Sequence, residues 1–318
     1  MDLCSRRDFL TTVAGGAGAA LLCGGATREA VEVPPQPRPI VVFSKVFQQL
    51  QLDFDEVAAL TAEAGLDGVD CPVRAGGEIP PERAEEELPR YVAALKRRQL
   101  TLPLLTTGIT STTSPFAEKI ITTAQRLGVQ YYRLGFITRE SNDTAGQQLR
   151  EIKAQLERLA RLNRRLGIGA LLQNHSPAGK SYVGGDLGDL YALVKDIDPA
   201  QVGIAFDIGH ALVVHGDAWR HHFERLRPHL KIAYVKDVTR AGRWVAFGQG
   251  DIEATGYFKL LQQLHYRAPV CLHIEYDWSD GSKNRNRATL LKTLQDNTQV
   301  LRKWLPATGG SGAAELNR

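Results

Sequence analysis

Cysteine is scarce, with four residues in 318, and two of them, Cys4 and Cys23, fall in the N-terminal segment. Only Cys71 and Cys271 remain, in separate strand-like stretches, so a disulfide framework is excluded. Two buried thiols are expected, although an oxidising compartment would permit a bond. No apolar run is long enough to predict a membrane span. Also absent is a basic stripe interleaved with aromatics. The formal charge is +4, and Lys and Arg are dispersed among Glu and Asp, so nucleic acid is not an implied partner. No GxGxxG follows the first apolar run, which removes the signal for a dinucleotide-binding fold.

What is present is ordinary globular composition, 43% hydrophobic and 23% charged. The N-terminal stretch SRRDFL leads into TTVAGGAGAALL, weakly apolar and too rich in Gly and Ala for a stable anchor. Residues 1–26 read as a twin-arginine signal peptide with cleavage near Ala26, which predicts a periplasmic or other extracytoplasmic location. Leu22 before Cys23 is a poor match to a lipoprotein signal. A Pro-rich linker follows over 27–39, one folded domain over 40–305, and a small, polar tail over 306–318 that is expected to be disordered.

Within 40–305 short apolar runs alternate with amphipathic stretches. The runs are IVVFS, DGVDCPV, LTLPLLT, VQYYRLGF, IGALLQ, VGIAFD, KIAYVKD and VCLHIEY. Between them, segments such as EEELPRYVAALKRR and LREIKAQLERLARLNRRLG repeat apolar residues every three to four positions, the period of a helix packed on one face. Gly65, Gly128 and Gly167 stand where a helix would end in a left-handed residue. Near-continuous apolar strands alternating with helices predict a parallel sheet covered by helices. Eight such units predict a single-domain α/β fold, a (β/α)8 TIM barrel. Barrels of this kind often pair, which leaves a homodimer open.

In that fold the strand C-termini form the active face, and polar residues gather there. They are Lys45, Arg74, Thr106, Thr107, Arg133, Gln173, Asn174, His175, Asp207, His210, Lys236, Asp237, His273 and Glu275. An acid that ends a buried strand is costly unless a cation or several donors meet it, so Asp207 and Glu275 are site candidates. His210, expected in the loop after the sixth strand, joins Asp207 in an Asp-x-x-His pair. Arg133 within a strand needs an anionic or carbonyl partner. Lys236 and Asp237 read as a solvated ion pair in the plain alternative. We take Glu275 as the base, with His175 and Lys236 steadying developing negative charge. Arg133, His210, Gln173, Asn174, Arg74 and His273 are taken as contacts to a small-molecule substrate.

The pieces LDGVDCPVR, GVQYYRLG, LLQNHS, GIAFDIGH, YVKDV, FGQGDI and LHIEY, in that order, resemble the xylose isomerase-like barrels grouped as sugar phosphate isomerases and epimerases. The resemblance runs from about Ile40 to Leu305. It implies a small carbohydrate as substrate and a divalent cation, manganese, magnesium or zinc, held by Glu, Asp, His and Glu from strands five to eight. Here those positions carry Gln173, Asp207, Tyr234 and Glu275, with His210 matching a histidine that contacts substrate or metal. The implied metal set is therefore Asp207, Glu275, Gln173 and His210. An amide cannot act as a base, so two-base epimerisation is disfavoured. The readings left are isomerisation by one base, elimination from a 3-keto glycoside, or a carbohydrate-binding pseudoenzyme.

Overall fold

The computed structural model describes residues 38–138, 145–176, 182–279 and 285–305. The expected signal peptide, the tail, and all of the linker except Arg38 and Pro39 lie outside the described residues. The described residues fall within one compact unit.

Its strands are β1 (Ile40–Phe43), β2 (Gly68–Val73), β3 (Thr101–Thr107), β4 (Tyr131–Arg133), β5 (Gly169–Gln173), β6 (Val202–Asp207) and β7 (Leu230–Val235). A small hairpin of β8 (Asp237–Val238) and β9 (Trp244–Val245) precedes β10 (Val270–Leu272). Parallel pairing closes a barrel in the order β1-β10-β7-β6-β5-β4-β3-β2. Strands covered on both faces should be apolar throughout, and every residue of β2, β5 and β6 is buried.

The helices are α1 (Phe54–Glu63), α2 (Ala84–Lys96), α3 (Ala117–Arg126), α4 (Ala145–Leu166), α5 (Leu187–Val194), α6 (Ile208–His215), α7 (Trp219–Leu226), α8 (Tyr257–Gln263) and α9 (Arg287–Trp304). Helix α1 starts before its apolar period does, because Asp53 and Glu56 form a reciprocal capping box at 2.8 and 2.9 Å. The glycines read as helix stops have φ of +70° to +84°.

Two features differ from expectation. Strand β4 ends at Arg133, because Leu134 N–H turns to Leu171 O and Gly135 N–H to Ile109 O. Gly135 crosses the Gly108 backbone so closely that a Cβ there would lie 2.9 Å from it. The segment after β6 is helix α6 rather than a loop. It is capped by Asp207, whose side chain accepts from His210 N, and its contiguous apolar residues hide the helical period.

The core has two compartments. Between barrel and helices lies the larger one, which includes Phe206, Trp219, Phe223 and Cys71. A smaller cluster contains Val41, Leu104, Leu171, Ala205, Ile232, Tyr234 and Cys271. The two cysteines belong to different compartments and both are free thiols, which agrees with the expectation of two buried thiols.

Candidate active site

The floor of the site begins at β2. Asp70 is fully buried and accepts from Thr106 Oγ1 at 2.9 and 3.0 Å and from Tyr234 OH at 2.8 Å. Burial pushes its carboxyl up to about 6, against the pull of those hydroxyls and of Arg133. Arg133, 3% exposed, donates Nε to Thr106 Oγ1 at 3.2 Å and Nη1 to Gln173 Oε1 at 2.9 Å, with its guanidinium 4.9 Å from the Phe136 ring centre. This chain of contacts fixes the Gln173 amide, since its oxygen must face the guanidinium. Its nitrogen then donates to Asp207 Oδ2 at 3.1 Å.

Asp207, at the end of β6, is fully buried, and Lys236 follows β7 at 3% exposure. The ammonium lies 3.3 Å from Asp207 Oδ2 and 2.6 Å from His210 Nε2. An ammonium has no acceptor, so His210 Nε2 must offer its lone pair, and Nδ1–H donates to Ser176 Oγ at 2.8 Å. Burial, reinforced by Lys236, holds His210 well below the usual histidine range. His175 lies against it with ring centres 3.8 Å apart and planes tilted by 37°, and is lowered for the same two reasons. Neither Lys236 nor Asp237 is a solvated ion: Asp237 is 1% exposed and accepts the backbone N–H groups of Val238, Gly248, Gly250 and Ile252.

Glu275 follows β10 with a side chain 27% exposed, its Oε2 3.6 Å from Lys45 Nζ and its Oε1 3.9 Å from Lys236 Nζ. These groups enclose a cavity of about 290 Å³ at the strand C-termini, walled by Phe43, Phe136 and Trp244. Of the predicted residues, Glu275, His175, Lys236, Arg133, His210, Gln173, Arg74 and His273 all line it. Asp207 lies behind Lys236. Asn174 does not line the cavity: it is 1% exposed and clamps Asp207 by accepting from its N–H at 2.7 Å and donating to its carbonyl at 2.8 Å. A larger cavity of about 530 Å³ near Ile109 and Phe116 is mostly apolar, and its single titratable lining group is Glu82.

The side chains fit the implied divalent ion poorly. Between Asp207 and Glu275, the two carboxylates that would hold it, stands the Lys236 ammonium. Gln173 turns N–H rather than oxygen toward Asp207, and Tyr234 points its hydroxyl down to Asp70. Both His210 nitrogens are engaged. Asp70, Cys271 and His273 form a separate buried group whose ligand atoms lie within 4.8 Å of one another, a donor set suited to a soft cation. Its carboxylate oxygens already accept the hydroxyls of Thr106 and Tyr234.

Asp70, Ser176, Trp244 and Phe136 complete the site without having been singled out from the sequence. Asp70 carries the same signal as Asp207, an acid inside an apolar strand. The other three lie in segments whose spacing says nothing of the cavity.

A closed parallel barrel with a polar, mixed-charge mouth is the architecture of a large group of enzymes. A family model, the xylose isomerase-like TIM barrel, matches residues 58–304, and the chain belongs to that family. The chain is similar in structure to a probable 3-DHS dehydratase from Bacillus anthracis at 16% identity and a TM-score of 0.63, covering 83% of this chain and 98% of that one. It is similar to a 3-keto-D-glucoside 4-epimerase from E. coli at 15% identity and a TM-score of 0.60, covering 81% and 99%. A D-allulose 3-epimerase from Methylomonas sp. gives 13% identity and a TM-score of 0.61, covering 86% and 100%. At these identities the likeness shows the fold. No curated protein matches the chain.

Proposed function

We propose that this protein is an enzyme that removes a proton beside the carbonyl of a sugar or keto-sugar derivative. One observation carries the reading: Glu275, the only carboxylate lining the cavity among the described residues, stands 3.9 Å from a buried ammonium. The substrate carbonyl oxygen rests against Lys236 Nζ. Glu275 takes the α-proton, and Lys236 stabilises the enediolate oxygen without giving up its own proton. The imidazole of His175, whose Nδ1 faces Ser176 O at 2.8 Å, turns Nε2 to a substrate hydroxyl, while His210, with both nitrogens engaged, holds the Lys236 ammonium in place. Gln173, locked between Arg133 and Asp207, cannot return a proton from the opposite face, so Glu275 works alone. It returns the proton to the neighbouring carbon while the hydroxyl proton passes between the two adjacent oxygens of the enediolate, which isomerises the sugar, or the enediolate electron pair expels a β-substituent that leaves with the bonding electrons, which is elimination. The similar structures, which include a probable 3-DHS dehydratase and a 3-keto-D-glucoside 4-epimerase, are in keeping with this reading. The leader containing Arg6 and Arg7 supports export, and cell fractionation of the full chain against an Arg6→Lys/Arg7→Lys variant tests it.

The test of the chemistry is wash-in of solvent deuterium at the α-carbon, followed by NMR over a panel of ketoses, aldoses and 3-keto glycosides. Glu275→Gln should lower exchange by about 100-fold or more with its melting temperature unchanged. Equal rates in the two proteins would remove the base. Binding without exchange in either protein would favour the pseudoenzyme that Gln173 and Tyr234 suggest.

A further inference from the structure

Cations outnumber anions around the cavity in an uneven way. Its lining carries Lys45, Arg74, Arg133 and Lys236 against Glu275. Lys236 is matched by Asp207 and Lys45 by Glu275, at 3.3 and 3.6 Å. Arg74 and Arg133 make no ion pair with any carboxylate among the described residues. Asp70 lies beneath them, but its oxygens accept from Thr106, Tyr234 and the Cys271 thiol rather than from a guanidinium. Arg133 spends Nε on Thr106 and Nη1 on Gln173, which leaves Nη2 without a hydrogen-bond partner among the described residues. Each guanidinium is backed by a ring, Arg74 by Phe43 at 5.8 Å and Arg133 by Phe136 at 4.9 Å. A ring behind a guanidinium holds its plane and leaves the edge for a planar or tetrahedral oxyanion. The two arginines also feel each other: burial and then Arg133 push the Arg74 guanidinium down. Two like charges that share one buried carboxylate, Asp70, leave a positive excess for an anion that arrives with the ligand.

We infer that the substrate carries an oxyanion, a carboxylate or a phosphate, which docks on Arg74 and Arg133 while its carbonyl meets Lys236. This rests on the function proposed above and names the class of sugar it takes: a sugar acid or a sugar phosphate rather than a neutral sugar.

Calorimetric titration with D-glucuronate, D-glucose 6-phosphate and D-glucose at matched ionic strength tests it, the first two separating carboxylate from phosphate. At least one anion should bind about ten-fold or more tightly than glucose. Arg74→Gln and Arg133→Gln should each erase most of that margin, and Arg74→Gln, at the less buried position, keeps the test open if Arg133→Gln fails to fold. Glu275→Gln should keep the margin, so a failed base assignment and a failed anion site give different results. The inference is overturned if neither anion binds, if glucose binds as tightly as both, or if the margin survives every arginine variant that folds.

Discussion

The two halves of the barrel mouth handle charge in opposite ways. On the side of β6, β7, β10 and β1, each cation has its anion: Lys236 faces Asp207, and Lys45 faces Glu275. On the side of β2 and β4, Arg74 and Arg133 share a single acid, Asp70, which hydroxyls already occupy. A matched half can keep its groups in place before substrate arrives, as a proton-transfer site requires. The unmatched half leaves electrostatic attraction to be satisfied by the ligand. Chemistry and recognition are thus divided across one cavity, and the division can be attacked from either side.

The largest expected effect comes from breaking the matched half. Lys236→Met removes the ammonium from a carboxylate that is fully buried. The chain should lose about 3–5 kcal/mol in urea unfolding, since an uncompensated buried charge is left behind. Adding Asp207→Asn should restore most of that loss, because both charges are then gone. If the single variant were as stable as the wild type, the pairing would not be what holds the floor of the site.

A smaller effect tests the unmatched half through pH. Asp70 lies under the arginines, and Glu78 is held nearby among Ser44, Tyr91 and Cys71. Burial pushes Asp70 up to about 6 from 3.8 and Glu78 up to about 7 from 4.5. The folded chain therefore keeps these protons to higher pH than the unfolded chain does. Their contribution is best below about pH 4 and declines as pH rises through 4–6 for Asp70 and 4.5–7 for Glu78, by up to about 3 kcal/mol each. His210 and His273, lowered chiefly by burial, act the other way: their contribution is present above pH 6.5 and is lost as pH falls. Measured as the difference from wild type, Glu78→Gln should gain stability progressively between pH 4.5 and 7, and Asp70→Asn between pH 4 and 6. A flat difference across those windows removes the raised acids.

How much of this could be read beforehand follows from which signals are local. The strands were legible because a barrel wall buried on both faces needs continuous apolar runs, as VGIAFD shows. The ends of VQYYRLGF were not, since β4 stops at Arg133 only because Gly135 must pass the Gly108 backbone. Helix α6 was missed because IGHALVVH has no polar face to give it a period. In the site, residue type and strand position sufficed to collect ten cavity-lining side chains. They could not separate Asn174, which clamps the Asp207 backbone, from Gln173, one residue earlier and facing the cavity. Nor could they show the role of Lys236. That a lysine after β7 would stand between Asp207 and Glu275 depends on contacts across three strands, which no spacing encodes.

The smallest expected effect sharpens the contrast within the matched half itself. Lys45 and Glu275 form the same kind of pair as Lys236 and Asp207, at 3.6 Å against 3.3 Å, but with side chains 51% and 27% exposed instead of 4% and 0%. Water screens the rim pair, and ordering the lysine chain offsets much of its attraction, so it should contribute less than about 1 kcal/mol. Lys45→Met should leave urea unfolding within about 0.5 kcal/mol of wild type, where Lys236→Met costs several times more. Salt should divide them as well, since 0.5 M sodium chloride weakens an exposed pair far more than one shielded from solvent. A Lys45→Met loss as large as that of Lys236→Met would mean that the rim is as dry as the floor, and that Glu275 meets its substrate only after the mouth has opened.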